Sequence, residues 1–355
     1  MYIKNYIKAT YHIYNMITSG ESSVIESDYQ KRFYNGIDNK KLPLIFFPSK
    51  NNSKKSAILY PGASPHAEKH PAMLMLGKNI AKLGYNVFIP RMPLLKKLDI
   101  SEKNIEWFTH YYSEHLINES IDSQQVSIIG ISYGGAILLN ALINKPFIEQ
   151  PPSSILLYGA PFNVNSGLKF VTTGEIITNG IKKYITPDPW GLIILFYNYF
   201  KDINSNYNNK NIIETLECRI NEDFEKLNSK INNLPIDEKE FVTEILDGNP
   251  TPEIMKYINL ILKKHKNDFE KISPGNIIHQ INNKIFIMHG ANDSMVPYTE
   301  SEKLAKNLKK SDLFISYLYE HREIASHNSL YFKLKECFRM INFFASFFEY
   351  DENKI

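Results

Sequence analysis

The stretch Val126-Ser-Ile-Ile-Gly130-Ile-Ser132-Tyr-Gly134-Gly135-Ala-Ile-Leu-Leu constrains this chain more than any other. Its short, unbroken apolar run has the character of a strand buried on both faces. Within a few residues rich in glycine, that run gives way to a helical apolar pattern continuing toward Asn144. A strand that turns directly into a helix needs a tight reversal. Glycines two positions either side of Ser132 remove the side chains that would collide there. Ser132 is therefore expected at the tip of the turn with its Oγ above the sheet. The adjoining helix N-terminus favours developing negative charge and aims the Tyr133 N–H toward it. A glycine-rich turn with an incidental serine is the bland alternative.

The flanking sequence supplies the sheet that such a turn requires. Apolar runs at Ser56–Tyr60, Asn86–Pro90, Val126–Gly130 and Ser154–Tyr158 alternate with helical patterns at 72–83, 101–118 and 133–145. The last of these helices is read as stopped by Pro146. Gln30–Tyr34 and Leu42–Pro48 flank the turn signal Asn35-Gly36 and are expected to form an antiparallel hairpin. Strands alternating with helices of this length imply right-handed crossovers and a mainly parallel sheet flanked by helices.

From Asn163 to Asn283 the rhythm breaks into helix-like segments separated by Pro- and Asn-rich stretches, and no strand is expected. It resumes with Lys284–His289, a helix near 300–309, the run Leu313–Leu318 and a final helix from Ser329 to Phe348. Thr299-Glu-Ser-Glu302 fits a capping box. The reading is an N-terminal amphipathic helix (1–25), a discontinuous α/β body (26–162 and 284–355) and a helical insertion (163–283). A structureless loop of that length is rare.

Composition removes several function classes. The 355 residues can bury a large core as one domain or two. With 41 Lys and Arg against 38 Asp and Glu, the net charge of +3 gives no electrostatic reason to expect a nucleic-acid partner. Two cysteines, Cys218 and Cys337, exclude a multi-disulfide scaffold. The longest apolar stretch, Trp190–Tyr197, falls far short of the roughly 18–20 residues of a membrane-spanning helix. Ile3, Tyr6/Ile7, Thr10/Tyr11, Tyr14 and Ile17 recur at helical spacing. That amphipathic helix is expected to pack on the body or a partner, with peripheral contact to a membrane surface as the sharper alternative. No export signal is legible, so a cytoplasmic location is the default expectation. His66-Ala-Glu68-Lys-His70 has a metal-like composition but lacks a third ligand and the H-E-x-x-H spacing, and reads as a pocket rim or helix start. No phosphate- or dinucleotide-binding glycine motif follows a strand.

With G-x-S-x-G in a strand–turn–helix context, and His289-Gly-Ala-Asn-Asp293-Ser-Met-Val-Pro297 closing a late strand, the chain resembles the α/β-hydrolase family over about residues 30–162 and 284–350. The resemblance implies a nucleophile at Ser132, an acid at Asp293 and a general base in the loop after the last strand. His327 fits that loop better than His321. It also implies an oxyanion hole from the Tyr133 N–H and a second amide in Pro61-Gly62-Ala63-Ser64-Pro65, for which Ala63 is the candidate. Ser64 is read either as a hydroxyl donor or as a cap for the following helix. The insertion occupies the place of the family's cap domains, and no cofactor is implied. The expected activity is cleavage of a small carboxylic ester through an acyl-enzyme. An amidase, peptidase or thioesterase using the same triad, or a non-catalytic binding protein on the same fold, are the alternatives.

Overall fold

The apolar runs do become strands. The computed structural model describes residues 3–20, 23–51, 53–178, 180–318 and 329–353. Its strands are β1 (Gln30–Asn35), β2 (Lys41–Phe47), β3 (Ser56–Tyr60), β4 (Asn86–Pro90), β5 (Val126–Ile131), β6 (Ser154–Tyr158), β7 (Glu175–Thr178), β8 (Ile181–Tyr184), β9 (Ile285–Gly290) and β10 (Ser311–Ser316). Eight of them form one sheet in the order β1-β2-β4-β3-β5-β6-β9-β10. β1 and β2 join the edge antiparallel. From β4 to β10 every pairing is parallel.

Every residue of β3 and β9 is buried, which explains why these strands read as continuous apolar runs. Side chains alternate between the two faces. Ile58, Tyr60, Ile128, Ile155 and Ile287 pack with the helices Lys103–Asn118 and Tyr133–Ala141. Leu59, Ile129, Leu156, Phe286 and Met288 pack with Ile3–Thr18, Pro71–Lys82 and Leu330–Glu352. The first of these cores runs without a break into the 164–283 segment through Leu192, Phe196, Leu216, Phe241 and Tyr257. Each such fully buried side chain contributes about 1.5–3 kcal/mol relative to exposure.

Four local expectations change. The segment expected to lack strands contains the β7–β8 hairpin; Asn179-Gly180 in the sequence is the signal that marks it. The helix after Ser132 ends at Ala141, not at Pro146. Pro146 instead lies in the first turn of a separate helix, Lys145–Glu149, where its missing N–H is harmless. No capping box forms at Thr299, because Tyr298 is the N-cap and its side chain makes no capping bond.

The N-terminal helix also turns the opposite way from its apolar stripe. Ala9, His12 and Ile13 are buried, whereas Ile3, Ile7 and Tyr14 are 79%, 64% and 61% exposed. Close packing decides this. Small Ala9 and the His12 ring, 4.6 Å from Phe344, let the helix lie tightly against Leu330–Glu352. Burial lowers the His12 pKa to about 4, so it sits there neutral.

The C-terminal helix is tied under the sheet by a buried charge. Asp351, 1% exposed, accepts hydrogen bonds from Ser127 Oγ (2.7 Å), Ser153 Oγ (2.6 Å), Ser154 Oγ (2.9 Å) and Tyr85 OH (2.7 Å), and pairs with Lys55 Nζ at 3.0 Å. Burial alone would raise its pKa. The Lys55 ammonium and these hydroxyls outweigh burial and hold the carboxyl below its ordinary value. We predict that Asp351→Ala lowers unfolding free energy by about 3–5 kcal/mol in urea titration. Because the folded-state pKa is depressed, the wild-type contribution is complete above the ordinary carboxylate range, from about pH 5 upward, and fades as pH falls through the folded value. Asp351→Asn should lose that part of the acid sensitivity.

Candidate active site

A parallel sheet brings the carboxyl ends of its strands to one edge, and the loops leaving β3, β5, β6 and β9 meet there. β3 and β5 are neighbours whose following helices lie on opposite faces, so the crevice between them is where open α/β sheets bind ligands. Ser132 leaves β5 with φ +51° and ψ −128°, a left-handed backbone that a serine adopts only under constraint. The constraint is visible on each side. Its N–H donates to Tyr158 O at 2.7 Å, and its carbonyl accepts from Gly135 N at 2.9 Å. A Cβ on Gly134 would lie 2.1 Å from Pro61 O, so the helix start touches the loop after β3 backbone to backbone. Gly130 and Gly135 also meet closely: a Cβ on Gly130 would be 2.8 Å from Gly135 Cα.

Among the described residues, Ser132 Oγ, Ala63 N–H and Tyr133 N–H have no hydrogen-bond partner. The Tyr133 side chain is anchored away from the turn, its hydroxyl donating to Ile100 O at 2.5 Å. Burial holds that phenol well above its ordinary pKa and keeps it a donor. Ser64 Oγ accepts from His66 N at 3.2 Å and caps nothing; His70 is the N-cap of Pro71–Lys82.

Asp293 follows β9 and is 4% exposed. Its Oδ1 accepts from the Met295 and Val296 N–H groups at 2.8 and 2.9 Å. Oδ2 lies 3.4 Å from His289 Nε2, and a Cβ on Gly159 would be 3.4 Å from it. His289 bonds Ser301 Oγ at 2.7 Å and Val296 O at 2.8 Å, so it braces the loop that holds the carboxylate. His321 and His327, the two base candidates, lie outside the described residues. His110 and His115 are structural: their Nε2 atoms meet Asn35 O and Ser56 Oγ, each at 2.8 Å, and burial lowers the His115 pKa to about 3.

Ser132, Gly62, Ala63 and Asp293 line a cavity of about 520 Å³. This volume suits a small-molecule ligand or a short chain end. Its outer wall comes from elsewhere in the chain. Trp190, Arg219 and Glu222 belong to the insertion, and Met16 to the N-terminal helix. Trp190 belongs to the apolar stretch Trp190–Tyr197; the other residues carry no sequence signal, since only folding brings them within reach of Ser132. His66 and His70 also line the cavity. Among the described residues no cluster of His, Cys, Asp and Glu could hold a metal ion.

Two buried carboxylates brace the surroundings. Glu68, fully buried, holds Arg91 in a fork at 3.0 and 2.6 Å, behind the loop carrying Ala63. Glu300, 1% exposed, accepts from Phe162 N (3.1 Å), Asn163 N (2.8 Å) and Ser166 Oγ (2.7 Å), clamping the start of the insertion to the helix beyond Asp293.

Residues 247–349 match the model of the prolyl oligopeptidase family. Among curated proteins none matches the chain in sequence. Solved structures with a similar fold include a dipeptidyl aminopeptidase IV candidate from Bacteroides ovatus, with 12% identity, TM-score 0.51 and 92% of this chain covered. A puromycin hydrolase matches with 8% identity, TM-score 0.51 and 92% covered. An acylaminoacyl peptidase in complex with Z-Gly-Gly-Phe-chloromethyl ketone matches with 14% identity, TM-score 0.50 and 89% covered. The chain spans 36%, 39% and 41% of the lengths of those proteins. At such identities the likeness is one of fold.

The backbone contact at Gly134 generates a direct test. Gly134→Ala should displace either the loop 61–65 or the Ser132 turn and destabilise the protein by about 1–3 kcal/mol. Gly167→Ala, where a Cβ meets nothing within 4 Å, should be near neutral. Thermal unfolding of the two variants checks the contrast.

Proposed function

We propose that this chain, an α/β-hydrolase by fold, is a serine hydrolase that cleaves a small carboxylic ester through an acyl-enzyme. The observation that carries this reading is the strained Ser132 turn, with its Oγ unpartnered among the described residues and in the same cavity as Ala63 and the buried Asp293 carboxylate. A nucleophile must project from rigid backbone into a site with waiting donors, and that arrangement supports one.

In the proposed mechanism Ser132 Oγ attacks the acyl carbonyl while His327 takes its proton. Asp293 fixes the tautomer of His327 and stabilises the imidazolium. The developing oxyanion is met by the Ala63 and Tyr133 amides, each such donor contributing about 3–4 kcal/mol to the transition state. His327 then protonates the leaving group and activates water to release the acid. His327 lies between β10 and the Leu330–Glu352 helix. β10 runs parallel beside β9, whose end carries Asp293, so the chain after β10 starts from the same edge. The 163–283 insertion acts as a cap, supported by the share of the cavity wall it supplies.

A second reading, amide or peptide cleavage with the same residues, is favoured by the prolyl oligopeptidase family match. Comparing a p-nitrophenyl ester with the p-nitroanilide of the same acyl group separates the two.

Ser132→Ala should lower kcat about 10⁶-fold and abolish labelling by a fluorophosphonate probe. Unchanged labelling would overturn the assignment. Asp293→Asn should cost about 10⁴-fold in kcat. His327→Ala should match the loss at Ser132, whereas His321→Ala should keep most activity. The rate should fall as pH drops through roughly 6–7, where a histidine base protonates.

A further inference from the structure

We infer that Arg219 is a carboxylate-recognition residue, and that the preferred substrate carries a free carboxylate group on its acyl or leaving-group part. The inference rests on the acyl-hydrolase reading of Ser132 and names the substrate class of that same cavity.

The other arginines among the described residues all have carboxylate partners. Arg91 pairs with Glu68 at 2.6 Å, Arg32 with Glu119 at 3.7 Å, and Arg339 with Glu336. Arg219 lines the cavity over Ser132 and, among the described residues, has no carboxylate partner. Its guanidinium lies 5.6 Å from the Phe224 ring centroid.

The acidic groups that share the cavity are committed elsewhere. Asp188 Oδ1 accepts from Trp190 N at 2.8 Å, Glu222 faces His66 Nε2 at 3.4 Å, and Asp293 Oδ1 is held by two backbone amides. Glu222 follows Arg219 by three residues and has a left-handed backbone (φ +57°). Arg219 itself lies in the last turn of the helix Asn209–Ile220, where the dipole favours a cation.

A guanidinium stays charged at every working pH, and its planar fork matches a carboxylate in bidentate geometry. Half-buried on the wall of a concave site, it attracts an anion more strongly than it would on an open surface. A neutral acyl substrate would leave that charge unanswered.

The test uses the full chain and two matched ester pairs. p-Nitrophenyl hexanoate against p-nitrophenyl hydrogen adipate places the carboxylate on the acyl side. Phenyl butyrate against 4-carboxyphenyl butyrate places it on the leaving group. In one pair the wild type should favour the acid by roughly 10–100-fold in kcat/KM, carried mainly by KM. Arg219→Met should erase that preference, so that kcat/KM for the acid falls to that for its neutral partner. Arg219→Lys should restore only part of it.

Calorimetric titration with the product acids adipate and hexanoate, and with 4-hydroxybenzoate and phenol, reads the same contact without turnover. No Arg219-dependent preference in any pair, by kinetics or titration, overturns the inference. Arg219-dependent binding without hydrolysis of any ester upholds the carboxylate site and overturns the hydrolase reading instead.

Discussion

The left-handed backbone at Ser132 is the constraint around which the molecule is arranged. A serine in that conformation costs of order 1–3 kcal/mol and persists only where its surroundings leave no alternative. Here they do not. The N–H is committed to Tyr158 O, and the following helix is pressed against Pro61 with no room for a side chain at Gly134. β5 is flanked by β3 and β6 and buried throughout its length to Gly130. A parallel sheet with helices on both faces supplies this rigidity because each central strand is held by two neighbours and two packed layers. The cavity over Ser132 is the space left at the edge where those strands end.

Buried carboxylates then fix the loops that the sheet alone would leave loose. Asp351 joins the C-terminal helix to β5 and β6 through three serines, a tyrosine and a lysine. Glu68 locks Arg91 behind the loop carrying Ala63, and Glu300 joins the beginning of the insertion to the helix after Asp293. Apart from Lys303 beside Glu300, the partners of these charges are far away in sequence, and each charge has more than one donor. Such fully satisfied networks select one arrangement of the elements, since any other would leave a charge buried without a partner. The cavity walls therefore have a defined spacing although they come from separate parts of the chain.

Legibility in the sequence followed the range of the forces involved. β3, β5, β6 and β9 could be read because strands buried on both faces need unbroken apolar runs. The turn at Ser132 could be read because its glycines answer a local steric demand. Pro146 misled because proline both ends helices and begins them, and the choice depends on the next few residues. The β7–β8 hairpin has a weak sequence signal despite Asn179-Gly180, since its strands are short and largely exposed. The N-terminal helix misled for a different reason. Its apolar stripe predicts a buried face, yet the close approach permitted by Ala9 and matched to Phe344 and Phe348 settled the docking. The wall residues Met16, Arg219 and Glu222 had no signature at all.

By itself, then, the sequence determined the order of strands and helices, the position of the strained serine turn and the loop carrying Asp293. Those features depend on residues close together in the chain, where apolar periodicity and glycine sterics act. Only the tertiary structure decided which carboxylate meets which arginine, which face of the first helix is covered, and that Arg219 stands on the cavity wall without a carboxylate partner among the described residues. Those outcomes depend on packing and desolvation between segments tens to hundreds of residues apart, and no local pattern records them.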